Sequence, residues 1–221
     1  MRYLVAATLL ALAPLAARAH MVYLVPTADG AAAAVVFSDT LAADPKVSVA
    51  RLHGLKLTAR AGAGQESPVE LDKADHQLTA AKGFGNAKVV YGSVVYGFAS
   101  KAETPALLVY HPKYVAPGVT GKEAAVGDKC ALEIVPVTVG GKTRFQLLAA
   151  GKPVEGGEGS VTRPDGKKEA LKTDKDGFTA AFEASGRYAA SLRHTEAKPG
   201  EHEGKKYAEV KHYATLVVDV K

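Results

Sequence analysis

Turn-forming residues interrupt this chain so regularly that long helices have almost nowhere to lie. Thr27-Ala28-Asp29-Gly30, Ala61-Gly62-Ala63-Gly64 and Lys82-Gly83-Phe84-Gly85-Asn86 punctuate the first half. Gly140-Gly141, Gly151-Lys152-Pro153, Pro164-Asp165-Gly166, Asp174-Lys175-Asp176-Gly177 and Ser185-Gly186 punctuate the second. Gly, Pro, Asn and Asp mark turns because they tolerate or preset the backbone angles that turns require. What lies between them is short and apolar-rich or alternating, the signature of strands.

In the first half the spacing predicts strands over Ala31–Phe37, Val47–Thr58, Val69–Leu71, His76–Ala80, Lys88–Phe98 and Ala106–His111. Single helical turns fit Asp39–Pro45 and Asp72–Asp75. In the second half seven segments read as strands: Ala131–Val139, Arg144–Ala149, Gly159–Arg163, Glu169–Thr173, Phe178–Glu183, Gly186–His194 and Lys206–Val220. Seven short strands with turns roughly every eight to twelve residues predict an immunoglobulin-like sandwich. From Pro112 to Lys129, prolines and glycines leave no periodic apolar pattern. The chain therefore reads as all-β, with two β-sandwich-like domains. An N-terminal β domain (20–115) and a C-terminal immunoglobulin-like β-sandwich (131–221) are joined by a linker at 116–130.

Residues 1–19 read as a cleaved secretory signal peptide. Arg2 supplies the positive start, Leu4 to Leu12 is apolar apart from Thr8, and Pro14 breaks the run. Ala17 and Ala19 are the small residues a signal peptidase requires. The run is shorter than the ~20 residues a spanning helix needs. No Cys follows it for lipid attachment. The expectation is a periplasmic or secreted protein, cut after Ala19, with no membrane insertion afterwards. The net charge of +5, two units of which reside in the signal, is too small and too scattered to call for a nucleic-acid partner. Lys198 to Lys211 interleaves Lys with Glu and reads as a solvated hairpin. One cysteine, Cys130, cannot form an internal disulfide, so stability must come from apolar cores.

No phosphate loop, dinucleotide fingerprint, nucleophile elbow or zincin motif is present. Thr173–Gly177 fails as an EF-hand, because Lys172 stands where the first carboxylate belongs. Histidine remains. Cleavage after Ala19 would make His20 the first residue, carrying an amine and an imidazole that chelate a metal in one ring. By period two, His194 shares a face with Tyr188, Ala190 and Leu192, and His212 with Val210, Ala214, Leu216 and Val218. His111 ends the last strand predicted in the first half. These four, His20, His194, His212 and His111, are the candidate metal ligands, against the alternative that His194 and His212 simply close the core. Nitrogen donors suit nickel, cobalt, copper or zinc, with copper the tightest.

Several segments then resemble one family. They are the His20-Met-Val-Tyr-Leu-Val-Pro start, Leu107-Leu-Val-Tyr-His-Pro-Lys113, Leu132-Glu-Ile-Val-Pro136, Gly151-Lys-Pro-Val154, Thr173-Asp-Lys-Asp-Gly-Phe178, Gly186-Arg-Tyr188 running to His194, and Tyr213-Ala-Thr-Leu216. Together they are similar to the secreted domain of unknown function family 4198, filed with periplasmic components of cobalt or nickel uptake systems. The resemblance implies an N-terminal β domain, a C-terminal immunoglobulin-like sandwich, export and association with a metal. Met21-Val22-Tyr23 departs from the acidic-aromatic-Trp type of start, and the chain has no Trp.

The functional expectation is a secreted, non-catalytic transition-metal-binding protein that sequesters its ion or hands it to a membrane transporter. The alternative is a structural or interaction module that binds a protein or glycan without metal. A third use of the same terminal histidine would be an oxidative copper enzyme.

Overall fold

A computed structural model describes residues 20–62, 64–98 and 105–221, so the signal peptide expected at 1–19 lies outside the described residues. The first half holds β1 (Met21–Pro26), β2 (Ala33–Ser38), β3 (Lys56–Arg60), β4 (Glu66–Val69), β5 (Asp72–Lys73), β6 (Gln77–Ala80), β7 (Val89–Phe98) and β8 (Leu107–Val115). The second holds β9 (Glu133–Val139), β10 (Lys142–Ala149), β11 (Lys152–Pro153), β12 (Glu158–Thr162) and β13 (Lys168–Lys172). It ends with β14 (Gly186–Glu196), β15 (Gly200–His202), β16 (Lys205–Tyr207) and β17 (Val210–Val220). Helical structure among the described residues is confined to three 3-10 turns, at Ala50–Leu52, Gly121–Glu123 and Gly127–Lys129. The chain is all-β, and no helix among those residues is long and apolar enough to cross a membrane.

The sheets stack in sandwich fashion about one large member. Eight strands run in the order β13-β12-β14-β17-β8-β7-β3-β4. The sheet β1-β2-β6-β5 packs on one face, and β11-β10-β9 packs on the other. Strands of the eight-stranded sheet alternate between two cores. Tyr188, Ala190, Leu216 and Val218 join Ile134, Phe145 and Leu147 on one side. Ala189, Val217, Leu108 and Tyr110 join Val22, Leu24 and Val35 on the other. A strand buried on both faces has no polar side to present, which is why β8 and β17 read as nearly continuous apolar runs.

The two halves meet in that sheet. β8 pairs in parallel with β17, from Leu107 beside Val210 to Val115 beside Val218. Residues 116–130 add Val119, Ala124, Val126 and Cys130 to the core that holds β9 and β10. β8 also extends through Pro112, beyond the point where the sequence pattern fades. Its ladder to β7 skips there: Val94 faces Tyr110 and Tyr91 faces Lys113, with nothing paired between. A proline fits because no ladder bond is asked of its nitrogen on that side.

Several expected elements differ. Val69–Leu71 overlaps β4 only at Val69, Lys206–Val220 breaks at Ala208-Glu209 between β16 and β17, and neither Asp39–Pro45 nor Asp72–Asp75 forms a helical turn, the latter opening in β5. Val47–Thr58 is divided: Val49, Leu52 and Leu55 are buried at intervals of three around a 3-10 turn, and β3 begins only at Lys56. Period three is the repeat of that turn, not of a strand. Phe178–Glu183 touches β10 only through isolated bridges, Gln146 to Phe178 and Thr143 to Phe182. The Lys198–Lys211 run forms the β15–β16 hairpin.

A buried ion pair ties β8 to β9. The Lys113 ammonium donates to Glu133, and both side chains are sealed from solvent. Glu133 also accepts the amides of Val126 (2.9 Å) and Gly127 (2.8 Å), anchoring the connecting segment. Burial pulls the Lys113 pKa down, and Glu133 opposes the shift. Removing one member strands the other's charge. Lys113→Met should therefore cost about 3–5 kcal/mol in urea unfolding. Adding Glu133→Gln should recover part of that loss, because Gln keeps an acceptor for the two amides without a charge. Equal stability of the single and double variants would contradict this account.

Candidate metal-binding histidines

His20 sits just before β1. Its Nε2 lies 3.4 Å from Asp44 Oδ2, and its ring leans on Phe37 with centroids 5.7 Å apart. Its carbonyl oxygen accepts the Tyr110 hydroxyl at 3.4 Å. Phe37, Tyr96 and Tyr110 form a mutually packed aromatic floor beneath it. Asp44 is itself held in place: its Oδ1 accepts the Lys46 amide at 2.9 Å. That amide, and then His20, lower the Asp44 pKa, so the carboxylate is charged at neutral pH. The turn Asp44-Pro45-Lys46 thus presents one oxygen to its own backbone and the other to the imidazole.

The other three histidines lie on neighbouring strands, β14, β17 and β8. His194 stands directly opposite His212 in the antiparallel ladder, and Ala214 of the same strand stands beside His111. His111 Nε2 is 2.9 Å from His212 Nδ1, and His212 Nε2 is 3.3 Å from Glu196 Oε2. The ring centroids of His111 and His212 are 5.1 Å apart. The facing nitrogens span most of that distance, so the rings meet edge to edge in a hydrogen bond.

The tautomers follow from this chain of contacts. Glu196 accepts from His212 Nε2–H, which leaves Nδ1 of a neutral His212 as a lone pair. His111 must then donate its Nε2–H. Its Nδ1 becomes a buried acceptor with no partner among the described residues. The pair as it stands offers no free lone pair to a metal except that sealed Nδ1. His194 is half-buried and opens onto a shallow polar groove with Glu158, Arg193 and Glu209.

His20 does not join them, and strand parity is the reason. Tyr110 and His111 are consecutive in β8, so their side chains leave opposite faces of the sheet. Tyr110 reaches the side covered by β1 and β2, where His20 lies. His111, His212 and His194 lie on the other side, with Lys113, Ala214 and Leu192. A four-histidine site that includes residue 20 is thus not assembled. Among the described residues no group of three or more His, Cys, Asp or Glu side chains is placed to hold a metal ion.

Asp44, Glu196 and Tyr110 are the neighbours of these candidate histidines that pattern reading of the sequence misses. Asp44 lies 24 residues from its partner, in a segment without period. Glu196 offered the better signal, two residues beyond His194 on the same parity.

Burial and the adjacent His212 push the His111 pKa down from 6.5 to about 3. Burial also lowers that of His212, against the pull of Glu196. Both rings are neutral in the folded chain at neutral pH. An unfolded imidazole takes up its proton near pH 6.5, whereas His111 resists until about 3. Within that window the unfolded state binds more protons, so stability is fully present above 6.5 and falls as the pH drops. The slope from one such site reaches about 1.4 kcal/mol per pH unit. In urea unfolding at pH 7.5, 6 and 5, His111→Leu should flatten the acid limb relative to the parent. Parallel profiles would show that the pair does not titrate in this way.

No protein-family model matches this chain, and no curated protein matches it. Among solved structures, one of a 1.5-MDa bacterial ice-binding adhesin aligns at 9% identity and a TM-score of 0.21. It covers 92% of this chain and 66% of the adhesin chain. A Ca2+-stabilized adhesin with which an Antarctic bacterium binds ice aligns at 12% identity and the same TM-score of 0.21, covering 92% and 50%. The chain therefore spans half to two thirds of the length of these neighbours, at a similarity too low to bear on its function.

Proposed function

We propose that this chain is an exported, non-catalytic β protein that binds a transition metal at His20 once the signal is removed after Ala19. One observation carries the reading: the contact between His20 Nε2 and Asp44 Oδ2. Metal-binding histidines commonly give their second ring nitrogen to a carboxylate, which fixes the tautomer and raises ligand basicity. Here that arrangement commits Nε2 to Asp44 and leaves Nδ1 as the lone pair nearest the residue's own nitrogen. A freed amine and Nδ1 form a two-nitrogen chelate suited to copper or nickel. Tyr110 supports the arrangement by holding the His20 carbonyl, so the terminus is placed before any ion arrives.

Two protein nitrogens are few. The remaining coordination positions fall to water or to an incoming partner. Such a site suits transient custody and transfer, for instance to a membrane transporter, better than storage. His111, His194 and His212 take no part in it. The competing reading is an interaction module that binds no metal.

Calorimetric titration with Cu(II), Ni(II) and Zn(II) tests the proposal on protein that begins at His20. Binding should be tightest for Cu(II) and should weaken as the pH falls through the histidine range, since the donors must be deprotonated. One Gly placed before His20 removes the chelating amine and should abolish the tight phase. Asp44→Ala should weaken binding by about 10–100-fold. Binding indifferent to the added Gly, or none tighter than micromolar, would overturn the proposal in favour of the metal-free module.

A further inference from the structure

The two sheets of the N-terminal sandwich part at their outer edges and leave a cleft of about 590 Å³. One wall comes from β3 and β4, at the end of the eight-stranded sheet. The other comes from β5 and β6, at the end of the four-stranded sheet. The 3-10 turn at Ala50–Leu52 flanks the opening. The size falls within the ~300–1,000 Å³ of small-molecule sites.

The cleft exists because strands end there. β4 pairs with β3 through Leu57 and Val69, and the chain then crosses to the other sheet through Glu70-Leu71. β5 lasts only two residues, so it covers little of β6. The gap is lined by Leu52, Leu55, Leu57, Val69, Leu71 and Leu78. The walls are aliphatic, and among the described residues the one aromatic ring in the lining is the His53 imidazole at the mouth. They match a flexible alkyl chain better than a planar ring system, which would gain from stacking.

The mouth has a charge of one sign. His53, Lys56 and Lys73 stand exposed around it, and no Asp or Glu among the described residues lines it. Neither lysine has an acidic partner among the described residues, whereas many of the other basic side chains do. Of the acids near Lys73 in sequence, Glu70 and Asp72 line the adjacent groove, where Glu70 reaches Lys82 at 3.9 Å, and the exposed Asp75 does not line the cleft. His53 Nδ1 bonds to the Ala50 carbonyl at 2.9 Å, which leaves Nε2 available at the rim. Aliphatic walls beneath a cationic rim are the complement of an amphiphile.

We infer that this cleft binds a single-chain aliphatic carboxylate as a monomer, with its alkyl chain between the two sheets and its carboxylate at Lys56 and Lys73. His20 lies outside the cleft, so this site stands or falls independently of metal binding.

The test is calorimetry with octanoate, decanoate and dodecanoate, each held below its critical micelle concentration. Binding at one site per chain is expected. The Kd should fall about fourfold for each methylene added, until the cleft is full. Decanol should bind more weakly than decanoate, and decyltrimethylammonium more weakly still. Lys56→Glu with Lys73→Glu should weaken decanoate binding about tenfold. That double variant should leave decanol affinity and Tm unchanged, since both lysines are exposed and have no ion-pair partner among the described residues. Equal affinity for the anionic, neutral and cationic amphiphiles would overturn the assignment. So would indifference to chain length, or binding to phosphatidylglycerol vesicles without binding to monomers.

Discussion

The parallel pairing of β8 with β17 is the contact on which the rest of this molecule depends. The strands lie more than ninety residues apart in the chain, and without their ladder the two halves would share no sheet. With it, both strands are buried on both faces, and each face becomes the floor of a different core. Parallel strands cannot be joined by a tight turn, so the long excursion through β9 to β16 is the connection that this pairing requires. The buried Lys113–Glu133 pair then pins the start of that excursion to β8.

This central position explains how the polar groups are distributed. A strand in the middle of a three-layer stack sends alternate side chains into two different environments. Along β8, Tyr110 goes to the aromatic floor under His20, while His111 and Lys113 go to the opposite side. Each buried polar group must then find a partner locally, because unpaired groups are costly in an apolar interior. Lys113 finds a carboxylate and His111 finds a second imidazole. On β8 the exception among the described residues is His111 Nδ1, and it is consistent with a ring that stays neutral well below its ordinary range. The same pair that closes this part of the core is therefore also a source of acid sensitivity.

The edges of the sheets behave differently from their centre. β4 and β13 end the large sheet, and both are charged or broken by proline, as exposed edges usually are. Between β4 and β5 the edges separate and the aliphatic cleft opens. His20, where we propose the chelate, and the cleft thus both lie at the periphery of the N-terminal sandwich, away from the central ladder.

Much of the all-β architecture was legible in the chain itself. Alternating apolar runs between Gly, Asn, Asp and Pro turns are local consequences of backbone geometry, so β7, β10, β14 and β17 could be read from their own residues. The shared faces of Tyr188 to His194 and of Val210 to Val220 were likewise legible, because period two is a property of one strand. Where a local rule competed with another, the reading slipped: the three-residue spacing of Val49, Leu52 and Leu55 was hidden inside a β-branched run. Two matters lay beyond any local rule. Which strand β8 would choose as its neighbour decides whether two sandwiches hang from a linker or share a sheet. Which face of β8 the N-terminal strand covers decides whether His20 meets the other histidines. Both depend on how whole apolar faces pack together, a sum over many distant side chains, and only the tertiary structure settles such sums.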